Sequence, residues 1–364
     1  MPPPTTLDLP AAAGHALALD PSRSMPWAVK VVADTGNMQA YELYLKAREN
    51  FIARRDLPET TDMFQRVVAL DPKFARGWEG LAAVASVAPS WGFKDRDYRT
   101  LSAQAADRAL DLDPSLSMPW AVKGQAMDSA WPIDFQGSLV AFERALAADP
   151  RNATALLWRG IAWIKLGFFE RALADLDRAI ALEPGYLNAT RHKALVLLYQ
   201  QKEDEAIALF EQGIARGFVG SRSENFIAPL YARGRRTDAL LLLNVEQMPR
   251  ELREAVIARL DQPSLAIRGA DALLARHAEA LLDPAFTYLT LTHLHLWLGD
   301  FDGVGRSDDV ITTEIVAWDR YPPAFRNSPG MKRKLEAMGV VAYWRAKGFP
   351  PQCRPVGAND FSCD

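Results

Sequence analysis

The chain has almost no cysteine. Its only two, Cys353 and Cys363, fall in the last twelve residues, so disulfides cannot hold the body of the fold together. It also lacks any run of about 18 uninterrupted apolar residues, the least a membrane-spanning helix needs. The first ten residues carry no Lys or Arg, and Gly14 and His15 interrupt Ala11 to Leu19, so the N-terminus does not read as a secretory signal. A soluble, cytoplasmic chain is the expectation. Neither sign of charge dominates: 42 Lys and Arg face 45 Asp and Glu, for a net charge of -3. Without a clustered basic surface, nucleic acid is excluded as the main partner. No Ser, His and Asp grouping with catalytic context is present. Gly217 to Gly220 lacks the preceding strand and the Lys-Ser or Lys-Thr pair of a phosphate loop, and reads as a helix terminator. No catalytic residue and no cofactor is expected, and an enzyme is disfavoured.

What the sequence does have is a period. An acidic residue followed by proline closes an amphipathic stretch at Asp71-Pro72, Asp113-Pro114, Asp149-Pro150 and Glu183-Pro184, with spacings of 42, 36 and 34 residues. In the block from Ala153 to Pro184, Leu156, Gly160 and Trp163 share one helical face, and Gly167 breaks that helix. A second helix over about 169–182 places Ala172, Leu176 and Ala179 inward. Small residues at Gly160, Ala172 and Ala179 let two helix axes approach to about 8 Å, and Pro184 stops the second helix.

The pattern resembles the tetratricopeptide-repeat (TPR) consensus of Trp, Leu-Gly and Tyr, then Ala, Phe, Ala and Pro. Neighbouring blocks match it at Trp78, Leu81, Ala82, Ser102, Ala106 and Ala109; at Trp120, Gly124, Met127, Ser138, Phe142 and Ala145; and at Thr190, Ala194, Leu197, Ala206, Phe210 and Gly213. A weaker first copy uses Tyr41, Ala47, Thr60, Phe64 and Val67. The resemblance implies an all-α fold, a right-handed α-solenoid of TPR helix pairs with a degenerate helical C-terminal extension. Insertions over 88–97 and 131–134 enlarge two inter-helix turns, as edge contacts or as tolerated loops.

Four segments are expected. Residues 1–36 carry a partial duplication, since thirteen of the seventeen positions in 17–33 match 110–126. Residues 37–218 hold five repeats, 219–316 degenerate helical repeats, and 317–364 a capping tail with Trp344, Phe349 and Phe361 packed on the last helices. Leu298-Gly299-Asp300-Phe301 has the look of a TPR inter-helix turn. From Tyr321 to Asp364, with Phe325-Arg326, Tyr343-Trp344-Arg345, Gly348-Phe349-Pro350 and Cys353-Arg354-Pro355, the chain resembles the end of the TolB-like/TPR arm of bacterial adenylate or guanylate cyclases and winged-helix regulators. Ala40 to Leu45 resembles the entry to those arrays. Residues 1–36 are too few for a cyclase or winged-helix domain, so neither activity carries over.

TPR arrays bind peptides or partner helices on a concave surface built by the first helix of each repeat. Mapped here, that implies Glu79, Met118, Gln125, Leu157, Trp158, Ile161, Lys165, Arg191, His192 and Tyr199. Trp158 beside Arg191 suits a hot spot, since Trp and Arg are enriched at such positions; packing between repeats is the competing role for Trp158. The expected function is a non-catalytic scaffold for a protein or peptide. The alternative is a regulatory arm acting with a separately encoded cyclase or transcription factor. Cys353 and Cys363 can pair across nine intervening residues or remain free thiols. His293 and His295, two apart on a helix, diverge by about 200° and do not share a metal ion; no metal site is expected. Oligomeric state is not specified.

Overall fold

The computed structural model describes residues 35–52, 55–216, 223–242, 248–280, 291–306, 318 and 323–364. The duplicated segment 17–33 and the glycines at 217–220 lie outside them. The described chain is all-α except for one short hairpin, and it forms two compact units.

The first unit comprises the described residues through Ala126, together with Glu143–Pro150. It contains α1 (Met38–Ile52), α2 (Leu57–Leu70), α3 (Ala75–Val87) and α4 (Tyr98–Leu112). The helices pack as successive antiparallel pairs, with Tyr44 edge-on to Phe64 and Phe74 at ring separations of 6.1 and 5.1 Å. The recurrent acidic residue before proline has a local cause. The backbone N–H of Asp71 still bonds Val67 O, ending α2, while its carboxylate accepts from Lys73 N at 3.0 Å. Asp113 does the same after α4, bonding Ala109 O and accepting from Ser115 N at 2.9 Å. A side chain that mimics a backbone turn, followed by a residue that cannot continue the helix, reverses the chain.

Helices α5 (Ser117–Asp128) and α6 (Phe135–Ala148) are divided between the units. The second unit takes Met127–Phe142 and everything described from Arg151. It opens with α7 (Ala153–Lys165), which Asn152 caps through Ala155 N at 2.9 Å, and α8 (Phe169–Leu182). Gly160 sits where a Cβ would stand 3.2 Å from Leu176 Cγ, so the small residue sets how closely α7 and α8 approach. Next come α9 (Leu187–Tyr199), α10 (Glu203–Ala215), α11 (Ile227–Ala232), α12 (Arg236–Leu242), α13 (Arg250–Asp261), α14 (Ala270–Arg276), α15 (Leu291–Trp297) and α16 (Phe301–Arg306).

A single turn geometry recurs through this unit. After α7, Phe168 N bonds Trp163 O and Gly167 N bonds Ile164 O, both at 2.9 Å. The same two bonds recur as Lys202 N to Leu197 O with Gln201 N to Leu198 O, as Arg235 N to Leu230 O with Gly234 N to Tyr231 O, and as Asp300 N to His295 O with Gly299 N to Leu296 O. Gly167, Gln201, Gly234 and Gly299 all take positive φ, between 62° and 80°. This is the left-handed helix termination that satisfies the final carbonyls. It identifies α11 with α12, and α15 with α16, as repeat-like pairs despite their irregular sequence. One core runs from Ala194 and Leu197 through Phe226, Leu252 and Leu273 to Leu298, because each stacked pair hides its apolar face on the next.

The chain ends with α17 (Pro323–Arg326), α18 (Pro329–Ala337), α19 (Val340–Lys347) and an antiparallel hairpin of β1 (Cys353–Val356) with β2 (Asp360–Cys363). A disulfide joins Cys353 to Cys363, directly opposite in register. Asn327 extends the hairpin edge with its amide, donating to Cys363 O at 2.7 Å and accepting from Cys363 N at 2.9 Å.

Candidate partner-binding face and the seat of the C-terminal segment

The C-terminal segment does not simply cover the last helices. Helix α18 packs on α16, but α19 and the hairpin return to the end of α7. Trp318 Nε1 donates to Lys165 O at 3.2 Å, Trp344 Nε1 to Leu166 O at 2.9 Å, and Gln352 Nε2 to Gly167 O at 2.8 Å. Three consecutive carbonyls at a helix C-terminus thus receive three side-chain donors from 150 or more residues downstream. The reason is physical: a helix end leaves its last carbonyls without intrahelical partners, and burying them demands N–H donors. An indole supplies such a donor together with a large apolar area. Gly167 is required at the centre, since a Cβ there would stand 2.5 Å from Gln352 Nε2 and 2.6 Å from Trp318.

Around this seat Tyr343 lies edge-on to Phe135, Trp163 and Phe168 at 6.3 to 6.5 Å. Trp344 contacts Phe349 and Phe361, each at 5.4 Å. The enlarged turn after α5 joins in: Ile133 is buried and its N–H bonds Met338 O at 3.2 Å. Of the two roles open to this insertion, the structure gives it the edge contact.

The residues mapped to the partner face separate into classes. In the first unit, Glu79, Met118 and Gln125 are half-buried. Glu79 is occupied structurally: it accepts from the Met118 backbone at the start of α5, and its carboxylate is 3.5 Å from Arg76. Burial pushes its pKa above the ordinary 4.5, outweighing the pull of Arg76 and of the Met118 N–H. The native state therefore holds this proton more tightly than the unfolded chain does. Its contribution to stability is greatest below the ordinary glutamate pKa and is lost as pH rises through the raised value. Glu79→Gln, which keeps an acceptor for Met118, is expected to gain in melting temperature relative to the wild type as pH goes from below 4.5 to neutral. An identical difference at both pH values in thermal denaturation would contradict this.

In the second unit, Leu157 and His192 are 0% and 2% exposed, and Lys165 is 7% exposed. These three are buried, whereas the sequence pattern sets them on the partner face. Leu157 belongs to the α7 core. His192 turns inward, with Nδ1 2.8 Å from Asn188 O. Lys165 Nζ is spent on Asp128, 2.6 Å from Oδ2 and 3.0 Å from the backbone oxygen. Tyr199 is half-buried against Phe169 at 6.0 Å, and Phe169 in turn meets Trp318 at 5.7 Å, so it adjoins the C-terminal seat. Trp158 and Ile161 on α7 and Arg191 on α9 remain half-buried. Arg191 is steadied by Asn188 Oδ1 at 2.6 Å. The Arg233, Arg235 and Arg236 cluster is ion-paired with Glu203 and Asp204, with Glu211 and Asp238, and with Asp261.

Sequence reasoning passed over Trp318, Gln352 and the Lys165–Asp128 pair. Nothing in a 34-residue period marks them, because they act between distant segments. No helix among the described residues is long and apolar enough to cross a membrane.

No family model matches the chain. In sequence it is similar to human tetratricopeptide repeat protein 28, 31% identical over 83 residues, and to rat sperm-associated antigen 1, 34% identical over 85 residues. Each alignment covers 23% of this chain and only 3% and 9%, respectively, of those proteins. Among solved structures it is similar to a thermophilic TPR protein of Thermus thermophilus, with 20% identity, a TM-score of 0.41, and coverage of 56% of this chain and 99% of the other. It is likewise similar to PilW, a type IV pilus biogenesis factor, with 20% identity, a TM-score of 0.40, and coverage of 57% and 90%. The chain is thus similar to TPR-repeat proteins over somewhat more than two repeat lengths.

Proposed function

We propose that this protein is a non-catalytic scaffold that binds a peptide or partner helix on the first helices of its repeats. The observation that carries the reading is the half-buried set of Trp158, Ile161 and Arg191 on α7 and α9. An indole and a guanidinium on adjacent first helices combine apolar area with directed donors, the composition of interface hot spots. Trp158→Ala combined with Arg191→Ala is expected to abolish recovery of the partner by affinity capture from the native cell, with an unchanged helical circular-dichroism signal. Recovery at the wild-type level would remove this face from consideration. The alternative, a regulatory arm serving a separate cyclase or transcription factor, rests on the sequence resemblance over 37–364, and the same captures would show it by returning such an enzyme or regulator.

A further inference from the structure

The C-terminal hairpin has little core of its own. Residues 354–360 are exposed, and the buried positions of its two strands are Cys353, Phe361 and Cys363. Two paired strands of four residues are marginal in water without further support. Here the support is the Cys353–Cys363 disulfide, formed by the only two cysteines in the chain. The cross-link closes the end of the hairpin farthest from its turn, beside Gln352, whose backbone oxygen accepts from Asp364 N at 2.8 Å.

Two of the three donors that cap α7 lean on this closed end. Gln352, which gives its amide to Gly167 O, immediately precedes Cys353. Trp344, which donates to Leu166 O, lies edge-on to Phe361 of β2 at 5.4 Å. The disulfide removes chain freedom between 353 and 363. Without it, β2 keeps Asn327 on Cys363, but the ion pairs of Lys332 with Asp360 and of Arg354 with Asp364 lie at the surface, where such pairs contribute little. Loss of the bond therefore loosens β1, and Gln352 with it.

We propose that the Cys353–Cys363 bond is a redox latch on the end of α7. Oxidised, it holds Gln352 and Trp344 on the last carbonyls of that helix. Reduced by a dithiol, it lets the hairpin open and exposes residues 166–168 to solvent. The reaction is thiol–disulfide exchange. A thiolate of the dithiol bonds to one cysteine sulfur, the S–S bond breaks, and its electron pair leaves on the other sulfur, which takes up a proton. The second thiol of the reductant loses its proton and displaces the first cysteine, which is protonated in turn. Both cysteines end as thiols and the reductant as a cyclic disulfide. Cys353 and Cys363 are 6% and 1% exposed, so attack follows a local opening of the hairpin. The latch stands whether or not Trp158 and Arg191 bind a partner.

The test compares the full chain with the bond formed and after treatment with dithiothreitol, alkylation counting the thiols. Native protein is expected to lose the bond to the dithiol. Amides of residues 166–168 are then expected to exchange about tenfold faster or more, while those of α10 keep their rate. Cys363→Ser is expected to show the fast rate without reductant and no response to it. Survival of the bond without denaturant, or unchanged exchange at 166–168 once it is reduced, would overturn the proposal. So would equal acceleration in α10, which reports general unfolding, or a response of Cys363→Ser to dithiothreitol.

Discussion

Replacing Trp344 with alanine is expected to destabilise the second unit by about 3–5 kcal/mol, the usual cost of removing a fully buried large aromatic. The side chain is 0% exposed, contacts the rings of Trp318, Phe349 and Phe361, and donates to Leu166 O at 2.9 Å. Truncation therefore opens a cavity beneath α19 and takes a donor from a buried carbonyl. Trp344→Phe separates the two effects. It retains much of the ring volume and removes the N–H, which is expected to cost about 1–3 kcal/mol. Chemical denaturation followed by circular dichroism measures both. A loss below about 1 kcal/mol for the alanine variant would mean that the seat at the end of α7 contributes little. A tail covering only the final helices would predict fraying at the chain's end. A tail that caps α7 predicts that Trp344→Ala also loosens residues 163–168, and amide hydrogen exchange there distinguishes the two.

The repeat geometry was legible because it is local. Leu156, Gly160, Ala172 and Leu176 recur at helical spacing, and the helix read from them over 169–182 is Phe169–Leu182 in the structure. The turn at Leu298 to Phe301 was legible for the same reason: glycine at the left-handed position and an acidic residue opening the next helix. At α11 and α12 the sequence pattern blurs because the tight turn at Gly234 survives while the two helices shorten to six and seven residues. A window tuned to a longer helix averages such a pair away. Residues that join distant segments leave no periodic trace. Trp318 and Lys165 are 153 positions apart, and Gln352 and Gly167 are 185. Burial on the candidate partner face was less legible. Helical spacing places Leu157, Lys165 and His192 on first helices, but spacing alone does not tell a groove-facing position from one closed by the neighbouring helix. Lys165 shows the difficulty best, since a lysine near a helix end ordinarily points to water.

Lys165 is the second position where a large effect is expected. Its side chain is 8% exposed and that of Asp128 is 7% exposed, at an Nζ to Oδ2 distance of 2.6 Å. Asp128 is the last residue of α5, where the helix dipole disfavours a negative charge. Its second carboxylate oxygen is buried without a hydrogen-bond partner, so the ammonium carries most of the compensation. Lys165→Met leaves that carboxylate buried beside the negative end of a helix and is expected to cost about 3–5 kcal/mol. The double variant Asp128→Leu with Lys165→Met removes both charges, and much of the loss is expected to return, because a buried pair often contributes little beyond a packed apolar replacement. The coupling between the two substitutions, measured by denaturant unfolding of both single variants and the double variant, is the quantity to read. Additive losses would mean that the two charges are solvated independently. Strong coupling with a stable double variant would mean that the pair serves alignment rather than stability. It would hold the end of α5 at the end of α7, where the Ile133 turn and the three capped carbonyls meet the C-terminal segment. A charge pair has a directional optimum and apolar contacts do not, so the double variant is expected to retain its unfolding free energy while the indole donors of Trp318 and Trp344 lose register. A shift in tryptophan fluorescence at unchanged stability would report that loss.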